Sequence, residues 1–569
     1  MVFKLVIHQQ LCHAGLRSGI SYPYQRIEIL YPPQGIPSGK YGMTPFFRKT
    51  QIIYTAVRNP PVDDECCVGM SDRNKIHDCI IIGSGMGGMT AASYLSNAGY
   101  STLVLEAAHS LGGCSSSYKR KGFVFESGAT TLIGFDEHQP LRILEEDLGI
   151  SIPKVPIEPS MQVHMNGKTI TRYNDRNKWI AESIRHFGEG EAQRSFWKLA
   201  FKVADIVWKV SGKNHFFPPQ KAIDWIRLLK NDPRDVWVLP YAFQSVMDVA
   251  SKKGISNPEF FNFLDEQLMI SAQATSNETP FLFGAPACTY TNATNYSVPG
   301  GLVEMVLTLK EFIEKKGGIV KNKEKVVSLE RTGKHYKVIS EKAGKKHEYF
   351  TRLIVSNLPV WNMKDITHGS LGSYFKKESM KYQEAWGAFT MGIAVKNQFG
   401  PEMPLHHQIH LREEDKREGL NSDSIFVSLS HPDDTIRSRD GYRTINVSTH
   451  TNPDWWFNLN GSYELHKQQV QDQILSIMVN QLEGFNLKDI ETVFSSTPVT
   501  WSNWVYRKKG RVGGIPQQME RSLLDWTPAE TPFDGLYLVG DTVFPGQGIP
   551  GVTLSGINVY YRIQNFLKQ

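Results

Sequence analysis

Apolar residues cluster tightly between His77 and Gly113. Cys79 to Ile82 form a short apolar run, mostly β-branched, which is the pattern of a buried strand. The run leads into Gly83-Ser84-Gly85-Met86-Gly87-Gly88, after which Met89, Ala92, Ser93 and Leu95 recur at helical spacing until Gly99. A second apolar run, Thr102 to Leu105, ends on Glu106. The pattern predicts a strand, a glycine turn, a helix and a strand with an acid at its end.

Periodicity changes several times downstream. A helix is expected from Gln139, with Arg142, Leu144 and Leu148 on its turns. Val163 to Met165 and Thr169 to Tyr173 flank Asn166-Gly167, the signal of a hairpin with a type I′ turn. Residues 190–275 read as helical and aromatic. Within them Lys221, Asp224, Arg227 and Lys230 form one polar stripe, which leaves Ala222, Ile223, Trp225, Ile226, Leu228 and Leu229 on the other faces. Trp and Leu opposite a basic stripe is the pattern of a helix in a membrane interface, and equally that of a helix packed on a core. Gly300-Gly301 opens a helix, Val303 to Lys315, and strands follow at Lys325 to Leu329, Tyr336 to Ile339 and Leu353 to Val355. Residues 386–450 alternate like an antiparallel sheet, and Tyr463 starts another helix. Near the end, Gly535 to Val539 is a buried strand that stops at Gly540-Asp541, and a helix carrying Ser555 and Gly556 follows.

Residues 1–76 break the pattern, with Pro32-Pro33, Gly35, Pro37, Gly39 and Pro60-Pro61 interrupting any period. They are expected to be a disordered extension, with Met70 as an alternative start.

A chain of 569 residues calls for two or three domains. A formal charge of +6 gives no case for nucleic acid. Six cysteines without a CxxC pair fit reduced thiols inside a cell. No apolar run approaches the length of a membrane span. Histidines 406, 407, 410, 431 and 450 lack the cysteine or carboxylate partners of a metal site, and His407 and His410 fall on opposite faces of a strand.

The glycine turn has a chemical rationale. Gly83 permits the tight turn, Gly85 lets backbone approach a pyrophosphate, and Gly88 lets the helix pack close to the strand. The helix start offers N–H groups and a positive dipole end to phosphate. Glu106 lies 18 residues after Gly88, near the spacing of about 20 expected of an acid that accepts from ribose hydroxyls.

With Gly112-Gly113 after the acid, this opening resembles that of the phytoene desaturase and carotenoid isomerase family, in the flavin amine oxidase superfamily. So do Gly122 to Gly128, Pro299-Gly300-Gly301, Ser356-Asn357-Leu358-Pro359, the Gly510, Val512 and Gly514 spacing, and above all the run Gly540 to Gly551. The resemblance covers the chain from about residue 77. It implies FAD as the cofactor and a Rossmann-type FAD-binding domain interleaved with an α+β substrate domain and a helical, membrane-associating subdomain. It implies FAD contacts at Gly83, Gly85, Gly88, Glu106, Gly112, Gly113, Val327, Gly540, Asp541, Gly548 and Val552. Many members carry a basic residue directly after the second glycine pair, where this chain has Cys114.

The expected layout is FAD-binding parts at 77–160, 296–360 and 501–569, a helical and membrane-contact part at 161–295, and a substrate sheet at 361–500. The implied reaction is desaturation or cis/trans isomerisation of a long apolar polyene, in an intracellular protein peripheral to a membrane such as that of a plastid. Alternatives are a retinol or polyene saturase, an amine-oxidase-like enzyme on another apolar substrate, and a flavin-binding lipid carrier without turnover. The electron acceptor stays open. No general base is identified, because a polar base in a dry tunnel is costly.

Overall fold

The apolar run that opens the glycine turn forms the strand His77–Ile82 in the computed structural model, and Cys79 to Ile82 are fully buried or nearly so. It pairs in parallel with Thr102–Leu105 on one side and with the second half of Lys345–Ser356 on the other. Ile319–Lys321 adds to the first neighbour and Leu536–Leu538 to the second, both parallel. The first half of Lys345–Ser356 turns back antiparallel on His335–Lys342, which continues into Lys325–Thr332. Strands that lie together in this seven-stranded sheet thus come from sequence positions hundreds of residues apart.

The helix Met86–Asn97 packs on this sheet between Val303–Lys315 and the last helix, Ile549–Leu567. Its contact with the last helix is close because Gly556 has no Cβ to strike the Gly87 carbonyl or Thr90.

A second seven-stranded sheet runs in the order Ile490–Ser496, Gly387–Lys396, Tyr442–Thr451, Ser424–Leu429, His406–His410, Met161–Met165, Lys168–Arg172. All its pairings are antiparallel except that of His406–His410 with Met161–Met165. The hairpin expected at Asn166-Gly167 forms its edge, with φ of 50° and 73° at the two turn residues, as a type I′ turn requires. Tyr463–Gln481 buries Ile474 and Met478 in the core that the sheet shares.

Helices Arg176–Phe187, Gly190–Ser211 and Pro258–Ser271 enclose a third core around Trp179, Trp197, Phe260 and Phe263. The helix Ala222–Asn231 does the reverse of an ordinary surface helix. Its Asp224 is buried, and Arg227 donates to Asn565 on the last helix. Ile223, Trp225, Ile226 and Leu229 are exposed instead, at 46–54%. The two inner members of the polar stripe, Asp224 and Arg227, therefore face the protein, because their hydrogen bonds are made there, while Lys221 and Lys230 at its ends stay exposed. Exposed Trp237, Leu239 and Phe243 extend the apolar surface into the following turn, Pro233–Phe243.

The structure describes residues 77–219, 221–231, 233–381, 385–521 and 525–568, with a pair of two-residue strands, His8–Gln9 and Gln25–Arg26. That pair belongs to a unit of its own, Met1–Gly69, and everything from Met70 on to another. The expected disorder of residues 1–76 otherwise lies outside the described residues. Among the described residues no helix is long and apolar enough to cross a membrane.

Candidate functional site

The glycine turn leaves the strand at Gly83, where φ is 94°, and Gly85 caps the helix Met86–Asn97. A cavity of about 490 Å³ opens at this end of the parallel strands. Gly83, Gly85, Glu106, Gly112, Gly113, Val327, Gly540, Asp541 and Val552 all line it. Gly88 does not. A Cβ there would strike the Gly83 carbonyl and press on Ile81, so this glycine serves the contact of helix with strand. Gly548 is displaced too: it precedes the last helix and lines the adjoining cavity.

Two side chains absent from the sequence-based set shape the same space. A Cβ on Gly85 would strike the carboxamide of Asn357, whose Oδ1 accepts from the Gly88 N–H at 3.1 Å. Asn357 directly follows the long strand Lys345–Ser356, and its place at the C-terminal end of a parallel strand was the signal available for it. Arg507 donates to Asp541 Oδ2 at 2.8 Å and stands beside Cys114. Burial pushes the Cys114 thiol up, against the pull of that guanidinium. The cation missing after Gly112-Gly113 in the sequence thus arrives from a loop hundreds of residues later. Local spacing carries no sign of it.

Glu106 Oε2 accepts from the Ser84 N–H and hydroxyl at 2.8 and 2.7 Å, and Oε1 accepts from the Ala108 N–H at 2.7 Å. A carboxylate has about four acceptor positions, so capacity remains for a ligand hydroxyl. Val326 pairs with Ser340 and Ser328 with Ile339, which leaves Val327 as a bulge outside the ladder. The Gly540 N–H donates to Ser555 Oγ at 3.0 Å, fixing the strand end against the last helix.

A second cavity, about 430 Å³, shares Cys114, Ser115, Asp541 and Val552 with the first. Trp208, Ile270, Phe283, Phe426, Trp501 and Phe544 supply apolar walls from six separate segments. Gly128 also lines it, and a Cβ there would collide with the Trp501 indole. One wall residue runs against expectation. Glu266, 7% exposed, faces this largely apolar space, although a carboxyl was expected to be too costly there.

Residues 86–563 match the family of flavin containing amine oxidoreductases. The chain belongs to this family. It is an FAD-dependent oxidoreductase with the family's mixed α/β fold. The prolycopene isomerase of Daucus carota is 26% identical, over 86% of this chain and 80% of its own length. The all-trans-retinol 13,14-reductase of Danio rerio is 24% identical, over 81% and 82%. An oxidoreductase of Methanosarcina mazei superposes with a TM-score of 0.56 at 17% identity, covering 85% of this chain and 99% of that one.

The cradle suits the flavoprotein's cofactor on its own geometry. Six glycines at its wall, Gly83, Gly85, Gly87, Gly112, Gly113 and Gly540, bring backbone to the surface. The helix starting at Met86 opens onto it, and Val552 brings the first turn of Ile549–Leu567 there, so two positive dipole ends face the cavity, an arrangement that suits a diphosphate. Lys325 and Arg507 add cationic side chains.

Proposed function

We propose that this flavoprotein binds a long apolar polyene and converts cis double bonds to trans. The observation that carries the reading is the aromatic-walled cavity joined to the nucleotide cradle through Cys114, Ser115, Asp541 and Val552. Such a space favours a hydrocarbon over water and sets it against the cofactor. The prolycopene isomerase relative supports the substrate class, and the retinol reductase relative supports a second reading, saturation of a polyene in the same cavity.

FAD bound in the cradle supplies an electron donor or acceptor beside the polyene. The chain's own residues bind and orient. Gly83, Gly85, Gly112, Gly113 and Gly540 keep the wall open to the pyrophosphate. Glu106 takes ribose hydroxyls, Asp541 takes the ribityl chain, and Val327 offers backbone to the adenine. Gly548 and Val552 bring the start of the last helix to the flavin ring, while Gly88 acts through packing. The segments 77–160, 296–360 and 501–569 hold the cofactor, and 161–295 with 361–500 hold the substrate.

The outward apolar face on 222–243 docks on a bilayer, where a polyene is dissolved. Exposed Lys221, Lys230 and Arg234 lie along it to meet anionic headgroups. This makes the protein peripheral to a membrane.

The test is pigment analysis after incubating FAD-loaded protein with prolycopene in liposomes, the flavin oxidised or chemically reduced. An all-trans product is expected. A saturated product selects the second reading, and unchanged pigment with flavin bound overturns both.

A further inference from the structure

The carboxyl group of Glu266 is buried at the wall of a largely apolar cavity. It sits on the helix Pro258–Ser271 with one side to the cavity. Its Oε2 accepts from the hydroxyls of Ser422 and Ser424 at 2.9 and 2.5 Å, and Oε1 accepts neither. Both serines line the same cavity.

Behind Ser424 runs a chain of hydrogen bonds in one direction. Arg172 donates to Gln267 Oε1 at 2.9 Å, Gln267 donates to Gln408 Oε1, Gln408 donates to Ser424 Oγ at 3.1 Å, and Ser424 donates to Glu266. Arg172, Gln267 and Gln408 are all completely buried. The Arg172 guanidinium stacks at 3.9 Å over Trp179, and its other hydrogen bonds go to the uncharged Cys288 carbonyl and Asn292 Oδ1. A buried cation at the head of a donor chain that ends on one carboxyl favours negative charge on that carboxyl, although Gln408 also donates to the Glu266 main-chain carbonyl. Desolvation works the other way and pushes the Glu266 pKa up, as does nearby Asp423. Burial thus favours the neutral, protonated carboxyl, while the serines and the donor chain behind them provide for its conjugate base once the proton leaves. That combination describes a general acid.

We propose that Glu266 is the catalytic acid and base of the isomerisation, a role that rests on the polyene reading above. The carboxyl O–H bond breaks and its proton forms a C–H bond with one carbon of the cis double bond, using the π pair. Positive charge spreads along the remaining conjugated carbons, and the carboxylate keeps the O–H electron pair. The former double bond is now single and turns. The carboxylate then takes a proton from the same carbon, the C–H pair restores the double bond as trans, and no electrons are gained or lost overall. The carboxylate and its relay lie beside the cation throughout, in a medium of low dielectric.

The test uses FAD-loaded protein with prolycopene in phosphatidylcholine vesicles. Glu266→Gln keeps size and hydrogen bonding without an acid. It is expected to lower kcat at least a hundred-fold, while flavin occupancy and the absorbance of bound polyene stay as in the parent. The parent should turn over about two-fold or more slowly in D₂O, and residual turnover in the variant should not. Glu266→Gln within three-fold of the parent, a loss that appears only in KM, or a parent rate indifferent to D₂O each overturns the proposal. A parent that changes no polyene at all defeats the functional reading instead, so the two failures are told apart.

Discussion

The two cavities meet at Asp541 and Val552, yet they are built on opposite plans. The cradle is walled mainly by backbone: glycines at strand ends and the starts of two helices bring peptide groups to the surface. The other cavity is walled by side chains, with indole and phenyl rings gathered from distant segments and the carboxyls of Glu266 and Asp541 among them. Backbone suits a diphosphate, which every member of a cofactor family presents alike. Side chains suit a substrate that distinguishes one enzyme from the next. The comparison teaches that binding is fixed where a Cβ cannot be tolerated, and selectivity is free to change where it can.

The sharpest way to break that contrast is at Gly112. Its φ is 106°, and a side chain would press on the backbone of Ser115 and Ser116 at 3.2 Å. Gly112→Val is expected to yield protein without bound flavin, seen as loss of the visible flavin bands. Gly99 is the control: its φ is 88°, but nothing lies within 4 Å of a Cβ there. Gly99→Ala should keep its flavin. If both lose it, backbone strain and not the cradle is responsible.

Acid separates the two regions next. Burial holds the imidazoles of His406 and His407 at about 3, against an ordinary value of 6.5. Both stand on the strand that pairs with Ser424–Leu429, which carries Ser424 and Phe426 at the wall of the aromatic cavity. The unfolded chain takes up these protons first. The stability they contribute is therefore complete above pH 6.5 and is lost as pH falls towards 3, at up to about 1.4 kcal/mol per pH unit for each. Urea midpoints at pH 7.5, 6 and 5 should fall in that order, and a His406→Asn, His407→Gln double variant should flatten the decline. An unchanged slope in that variant would place the acid sensitivity elsewhere.

Within the cradle, Glu106 tests whether a side chain matters as much as the glycines around it. Removing a charge-assisted hydrogen bond costs roughly 1.5–3 kcal/mol, so Glu106→Ala should weaken FAD retention about ten- to a hundred-fold. Because Glu106 also holds Ser84 and Ala108, the apoprotein's melting temperature must be measured alongside. Equal FAD affinity in parent and variant would remove Glu106 from the ligand set.

The same division explains what could be read from the chain before its fold was known. Gly83, Glu106 and Gly540-Asp541 were legible because a backbone site needs fixed residue types at fixed spacing. Val327 was legible only through a resemblance, since a bulge leaves little trace in a strand of ordinary pattern. Arg507 was missed because it reaches the cradle from far along the chain, and Asn357 was seen only as part of a resembling segment, without a contact of its own. Glu266 was missed for a further reason: cost argues against a buried carboxyl, and the offsetting serines, 422 and 424, lie on another segment entirely. The stripe on Ala222–Asn231 was seen, but periodicity gives the angle between two faces and not which of them looks outward.

That orientation supports the smallest effect to look for. Leu229 is 54% exposed, so about half of its side chain is still in water. Burying a whole leucine is worth about 1.5–3 kcal/mol, and completing the burial of this one in a bilayer about 1 kcal/mol. Leu229→Ser should lower co-sedimentation with liposomes roughly five-fold. Leu487 is equally exposed, at 52%, but stands in a short turn at the edge of the second sheet without exposed Trp neighbours in sequence. Leu487→Ser removes the same chemistry from a different face and should leave lipid binding unchanged. If both substitutions weaken it alike, exposed leucine anywhere on the surface suffices and the inverted helix is not the docking face. If only Leu229→Ser does, the helix that buries Asp224 and shows its apolar side is where the protein meets the membrane.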